Sequence, residues 1–179
     1  MRFLLPRTIF IVTLFFCRSA IADPSVVLTL GEGPHAKAID VGLQIPVQPP
    51  WAFLRSPKIS TNVEFDIGYW EGRGGTQNNH LVEVAVLPTV RYFPGDAVNG
   101  CFYLEGGIGA HLLSHVRIKE DRTLSTAFQF GDFLGIGWRF GQAAKYEIGL
   151  RAHHVSNGGI KEPNPGVNFL QVRFVVPFS

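Results

Sequence analysis

His154 and Ser156 stand two residues apart in "RAHHVSNGGIKEPNPGVNF", residues 151–169, near the end of a 179-residue chain. An imidazole close to a hydroxyl is the pair that acyl transfer needs. The ring takes the hydroxyl proton while the oxygen attacks an ester carbonyl. The "NGG" that follows, Asn157, Gly158 and Gly159, offers backbone N–H groups on a turn, where they could stabilise the resulting oxyanion. The same residues would also make a polar girdle where a strand leaves a bilayer. Which way each side chain points therefore decides between chemistry and architecture.

The N-terminus bears on that direction, because it says where the chain goes. It reads "MRFLLPRTIFIVTLFFCRSAIADPS", with Arg2 and Arg7 ahead of an apolar stretch from Ile9 to Phe16 and an A-x-A site at Ala20–Ala22. This is the pattern of a secretory signal peptide over residues 1–22, the apolar run being too short to span a bilayer. Cys17 falls inside it after Phe16, not after a small residue, which argues against a lipoprotein anchor. Residues 23–179 keep only Cys101, so no intramolecular disulfide is expected. Hydrophobic residues make up 46% of the chain and charged residues 17%, the latter below the roughly 25% usual in soluble domains. No apolar run is long enough for a transmembrane helix. A net charge of +2 without a basic cluster argues against nucleic acid as a partner. An exported, apolar, non-helical chain points to an outer-membrane β-barrel.

Turn-rich breaks such as "GEGP", "QPPW", "GRGGTQNN", "FPGDAVNG", "KEDRT" and "GQAAK" divide residues 23–179 into eight expected strands. These are Val26–Gly31, Lys37–Ile45, Thr61–Trp70, Leu81–Phe93, Cys101–Leu113, Phe128–Phe140, Tyr146–Ser156 and Val167–Phe178. Alternation runs through them. Ile39, Val41, Leu43 and Ile45 oppose Asp40, Gly42 and Gln44, and Val63, Phe65, Ile67 and Tyr69 oppose Asn62, Glu64, Asp66 and Gly68. One face is dry and the other is not. A lipocalin-like soluble barrel would turn the apolar face inward around a greasy ligand. The membrane arrangement is favoured because the polar face carries both signs of charge, is rich in glycine, and the last strand, "NFLQVRFVVPFS", bears aromatics. The expected fold is all-β, an eight-stranded antiparallel transmembrane barrel, too narrow for a pore.

On the seventh strand Tyr146, Ile148, Leu150 and Ala152 form the apolar face, and the same period carries on to His154 and Ser156. Both are therefore expected at the rim of the lipid-facing surface, with His153 in the lumen in a structural role. On the eighth strand the apolar face counts back to Asn168. If the sixth and seventh strands pair across "GQAA", Asp132 lies opposite His154, give or take one register step. A carboxylate is anomalous on a lipid-facing surface. Nothing reads as a metal or cofactor site, since His153–His154 lacks the H-E-x-x-H spacing and no acidic cluster forms a calcium loop. His35, His80, His111 and His115 are scattered.

The segments "DIGYWEG", "FYLEGGIGAHLLS", "FQFGDFLGIGWRFG" and above all "RAHHVSNGGIKEPNPG" resemble the lipid A 3-O-deacylase (PagL) family of Gram-negative outer membranes. The resemblance implies an eight-stranded barrel that hydrolyses the ester-linked 3-hydroxyacyl chain at position 3 of lipid A, with no cofactor. Its substrate would be lipid A or lipopolysaccharide, its surroundings outer-membrane lipid, and a homodimer is one assembly left open. The family's catalytic His and Ser fall on His154 and Ser156. Its oxyanion and positioning residues fall on Asn157, Gly158 and Gly159, with a further asparagine at Asn164. The family's third catalytic member is an acid fourteen residues after the His, and here that position is Asn168. An Asn can orient an imidazole but cannot stabilise imidazolium by charge. Asp132 is the rival for that role and Glu162 a weaker third. Against the enzyme stand a non-catalytic structural or adhesive barrel and the soluble lipocalin-like binder.

Overall fold

The computed structural model describes residues 23–49, 51–76, 79–95 and 101–178. The expected signal peptide lies outside the described residues. The strands are β1 (Ser25–Glu32), β2 (Ala36–Pro46), β3 (Ile59–Gly72), β4 (His80–Tyr92), β5 (Phe102–Leu113), β6 (Arg117–Lys119), β7 (Arg122–Thr123), β8 (Phe128–Phe140), β9 (Tyr146–Ser156) and β10 (Val167–Pro177). All but β6 and β7 join one closed barrel in the order β1-β10-β9-β8-β5-β4-β3-β2, antiparallel throughout. Closure through β1 and β10 leaves no open edge, as lipid requires.

The direction of the two faces is unambiguous. Leu134 is 74% exposed and Ile67 65%, whereas Arg151 and Glu64 are each 1% exposed. The apolar face is outside, so the lipocalin-like arrangement is excluded. Inside, burying a lone charge would cost several kcal/mol, and the lumen arginines are each matched by carboxylates. Arg151 bridges Glu64 at 3.1 Å and Glu105 at 2.6 Å. Arg91 bridges Glu105 at 3.0 Å and Glu147 at 2.9 Å, and Arg173 pairs with Glu64 as well. These side chains reach into the lumen from β3, β4, β5, β9 and β10. Lumen glycines make room for them: a Cβ at Gly131 would collide with the imidazoles of His111 and His153.

One part of the interior departs from the alternating pattern. At the end away from the termini, Trp70, Val155, Val167 and Phe169 point inward and form an apolar cluster. Ile118 and Leu124, each 0% exposed, seat into it from the segment between β5 and β8. That segment, where "KEDRT" reads as a plain turn, is a small hairpin of β6 and β7 that caps the barrel mouth. Its strands of three and two residues are too short to show any alternation.

Candidate active site

His154 lies near the end of β9 between two partner strands. In register, Asp132 of β8 faces it on one side and Asn168 of β10 on the other. All three follow the outward set of their strands, so they share the outer surface. Below them on that surface come Leu134–Ala152–Leu170, then Ile136–Leu150–Val172, then Trp138–Ile148–Phe174, and last Phe140–Tyr146. At about 3.4 Å per residue this apolar stack runs about 20 Å along the strand. That is close to the roughly 25 Å band of a membrane barrel. The row of Asp132, His154 and Asn168 therefore stands at the upper border of the apolar band. A polar group near the interface costs far less than one at the midplane, roughly 0–1 kcal/mol against 2–4.

Across the β9–β10 pair, His154 Nδ1 and Asn168 Oδ1 are 2.6 Å apart. With an amide oxygen as acceptor, Nδ1 carries the proton and Nε2 keeps a lone pair. Asp132 is exposed, and its carboxylate makes no hydrogen bond among the described residues. Ser156, half-buried, sits two residues on along the same face, in register with Phe130. His153 turns inward, 5% exposed, with its ring 5.2 Å from that of His111.

The loop from 157 to 166 is tied by its own asparagines. Asn157 is 0% exposed; its Nδ2 donates to the Leu124 carbonyl at 3.0 Å and to the Lys161 carbonyl at 2.7 Å. Its Oδ1 accepts the Gly159 N–H at 2.9 Å, and its own N–H donates to Asn164 Oδ1 at 3.0 Å. Of the three N–H groups in "NGG", then, those of Asn157 and Gly159 are already engaged. The Gly158 N–H has no partner among the described residues. Gly158 adopts φ +65°, a left-handed conformation that suits glycine, and lies over Phe130, where a Cβ would be 3.2 Å from the ring. Phe130 is also the residue in register with Ser156. Asn164 spends its oxygen on Asn157, and its Nδ2 has no partner among the described residues. Glu162 is exposed and accepts the Asn164 N–H at 2.9 Å, occupied within the loop and not beside the imidazole.

The family model for lipid A 3-O-deacylase (PagL) matches residues 37–177. The chain belongs to that family. It is 33% identical over 166 residues to a lipid A deacylase PagL of Bordetella bronchiseptica, covering 90% of this chain and 89% of that protein. A lipid A deacylase PagL of Pseudomonas aeruginosa is 33% identical over 109 residues, 61% of this chain and 60% of that one. Among solved structures, the crystal structure of the outer membrane enzyme PagL superposes with a TM-score of 0.67 at 26% identity. That match covers 86% of this chain and 99% of the other. Membership makes the chain an outer-membrane lipid A deacylase, which removes the structural or adhesive barrel from consideration.

Two further features surround this candidate site. Gly166, at φ +59°, comes so near His154 that a Cβ there would lie 2.7 Å from Cε1 and 3.3 Å from Nε2. The "NPG" of the sequence marks a turn but not that its glycine lies against the imidazole. The second feature is Arg122, whose Nη1 donates to the carbonyls of Pro165 at 3.1 Å and Gly166 at 2.6 Å. It comes from β7, more than forty residues away in sequence. Burial, and then the nearby charges of Arg122 and Lys119, lower the His35 imidazole of the β1–β2 turn from its ordinary range. Among the described residues no group of His, Cys, Asp and Glu is arranged to hold a metal ion.

Proposed function

We propose that this deacylase hydrolyses the ester-linked 3-hydroxyacyl chain at position 3 of lipid A, with Ser156 as nucleophile and His154 as general base. The hydrogen bond from His154 to Asn168 carries the reading, because it fixes the tautomer that leaves Nε2 free to take a proton. Ser156 Oγ attacks the ester carbonyl carbon as its proton passes to Nε2. The oxyanion then forms against the Gly158 N–H, with Asn164 Nδ2 as a second donor. Collapse breaks the bond to the sugar oxygen, which leaves with the proton from His154. Water activated by the same imidazole frees the hydroxy fatty acid from Ser156.

A position on the outer surface suits a substrate that never leaves the membrane. Lipid A can present its ester at the border of the apolar band while its chains stay in hydrocarbon. Below the site, Ile136, Trp138, Ile148, Leu150 and Val172 line an apolar groove between the strands, with Phe102 at its side. Ala152, the smallest side chain on this face of β9, lies in register between Leu134 and Leu170, in the row that separates the groove from His154. A hydrocarbon chain laid along this path keeps its carbonyl beside Ser156.

The test is mass spectrometry of lipid A from cells expressing the protein. Wild type should remove one 3-hydroxyacyl chain, and Ser156→Ala should remove none. Loss of the chain with Ser156→Ala would refute the serine mechanism.

A further inference from the structure

The hairpin between β5 and β8 grips the catalytic loop along its length. At the start of the loop the Leu124 carbonyl accepts Asn157 Nδ2 at 3.0 Å. In the middle Ser125 Oγ donates to the Pro163 carbonyl at 2.8 Å. At its end Arg122 Nη1 holds the carbonyls of both Pro165 and Gly166. The hairpin is itself fixed, with Ile118 and Leu124 fully buried in the barrel mouth. Asn79 further ties it to the β3–β4 loop, its N–H donating to the Ile118 carbonyl and its Nδ2 to that of Arg117, both at 3.0 Å.

The Arg122 contact differs from the others in what it controls. Gly166 is the last residue before β10, and two positions further on Asn168 meets His154. Gly166 also stands against Cε1 and Nε2, the edge of the ring that must face Ser156. Two successive carbonyls bonded to one guanidinium nitrogen fix the two peptide planes that flank Gly166, and so hold Gly166 in its left-handed conformation. A shift of that backbone would crowd Nε2 on one side and drag Asn168 on the other.

Building on the Ser156 and His154 mechanism, we infer that Arg122 is a positioning residue for deacylation, holding the Pro165 and Gly166 carbonyls so that His154 keeps Nε2 open and Nδ1 bonded to Asn168. It touches neither substrate nor reacting atoms. Misplacing a catalytic group by about 1 Å can cost on the order of a hundredfold in rate.

The test uses purified, detergent-solubilised full-length protein with two readouts. One is kcat and KM on purified lipid A in mixed micelles. The other is the rate at which a fluorophosphonate labels Ser156, which reports its activation without lipid A. Arg122→Ala should lower kcat and the labelling rate together by roughly ten- to a hundredfold, with KM within about threefold. Arg122→Lys, which keeps the charge but not the planar fork, should recover part of both. Arg117→Ala removes an exposed charge from the same hairpin and should match wild type. Labelling and turnover by Arg122→Ala within about threefold of wild type would overturn the inference. So would a raised KM with unchanged kcat, because Arg122 would then be meeting the lipid headgroup. Should Arg122→Ala fail to assemble, Arg122→Lys decides, and wild-type labelling by that variant counts against the inference. Turnover by Ser156→Ala would instead defeat the underlying serine mechanism, a separate failure.

Discussion

Arg151 and His154 lie three residues apart on one strand and could hardly be treated more differently. Arg151 points inward, 1% exposed, shared between the carboxylates of Glu64 and Glu105 and stacked over the Phe133 ring at 4.1 Å. His154 points outward, half-buried, with one side-chain hydrogen bond, to a neutral amide. The lumen pairs its arginines with carboxylates, since one missing partner leaves a buried charge exposed to low dielectric. Asp40, Asp66 and His153 nevertheless keep buried polar atoms without a hydrogen bond among the described residues. The outer surface leaves donors and a lone pair unspent. On β9, polarity inside the barrel holds it together, and polarity outside is available for chemistry.

The largest expected effects pull the two regions apart. Ser156→Ala or His154→Ala should lower turnover by roughly 10⁴- to 10⁶-fold. Neither should change the temperature at which the folded barrel loses its compact migration on gels. Arg151→Ala should do the reverse, destabilising the barrel by about 3–5 kcal/mol because Glu64 and Glu105 lose a buried partner. The protein that remains folded should keep its rate per molecule. Equal melting of Arg151→Ala and wild type would refute the structural role of the lumen network.

The loop offers a finer version of the same contrast. Gly158→Val forces a branched side chain into a left-handed conformation against Phe130 and should displace the free N–H. Losing one oxyanion donor costs roughly 2.7–4 kcal/mol in the transition state, on the order of 100- to 1,000-fold in kcat. Asn157→Ala should instead act through stability, since it strands the Leu124 and Lys161 carbonyls and the Gly159 N–H. Each buried group left unsatisfied costs about 1–3 kcal/mol. Comparing kcat with thermal unfolding for the two variants checks the division. A Gly158→Val enzyme within a few-fold of wild type would sink the oxyanion assignment.

The strands and the two faces of each were legible in sequence because a period of two is local, as in Ile39 to Ile45 or Phe65 to Tyr69. Which face is outside had to be read from the charges, glycines and last strand of the whole chain. The same period carried His154, Ser156 and Asn168 to one surface, and the short β8–β9 connection put Asp132 opposite His154. What sequence could not yield are the contacts that close over long separations. Arg122 reaches Gly166 from a hairpin whose strands are too short to alternate. Trp70 and Phe169 break the polar lumen only because Ile118 and Leu124 arrive to cover them. Asn157 reads as an oxyanion donor beside two glycines, but folding turns it inward, where its amide spends every group on holding the loop.

The smallest expected effect concerns the residue that orients His154. Two neighbours compete, Asn168 bonded to Nδ1 and Asp132 across β8 with no partner among the described residues. In the proposed mechanism the ring becomes an imidazolium as Ser156 attacks the ester, and a neutral acceptor stabilises it less than a carboxylate would. Hydrogen bonds to charged groups contribute about 1.5–3 kcal/mol against about 0.5–1.5 for neutral ones. A carboxylate at position 168 would also meet little resistance from lipid, the cost near the interface being roughly 0–1 kcal/mol. Asn168→Glu should therefore preserve or raise turnover at neutral pH. Asn168→Ala, which frees the tautomer, should lose on the order of ten- to a hundredfold. Asp132→Asn should stay within a few-fold of wild type, since nothing binds its carboxylate to the ring. The measurement is lipid A deacylation at matched protein levels in the membrane. A collapse in Asp132→Asn with Asn168→Ala nearly silent would reverse the assignment and make the β8 carboxylate the partner of the catalytic imidazole.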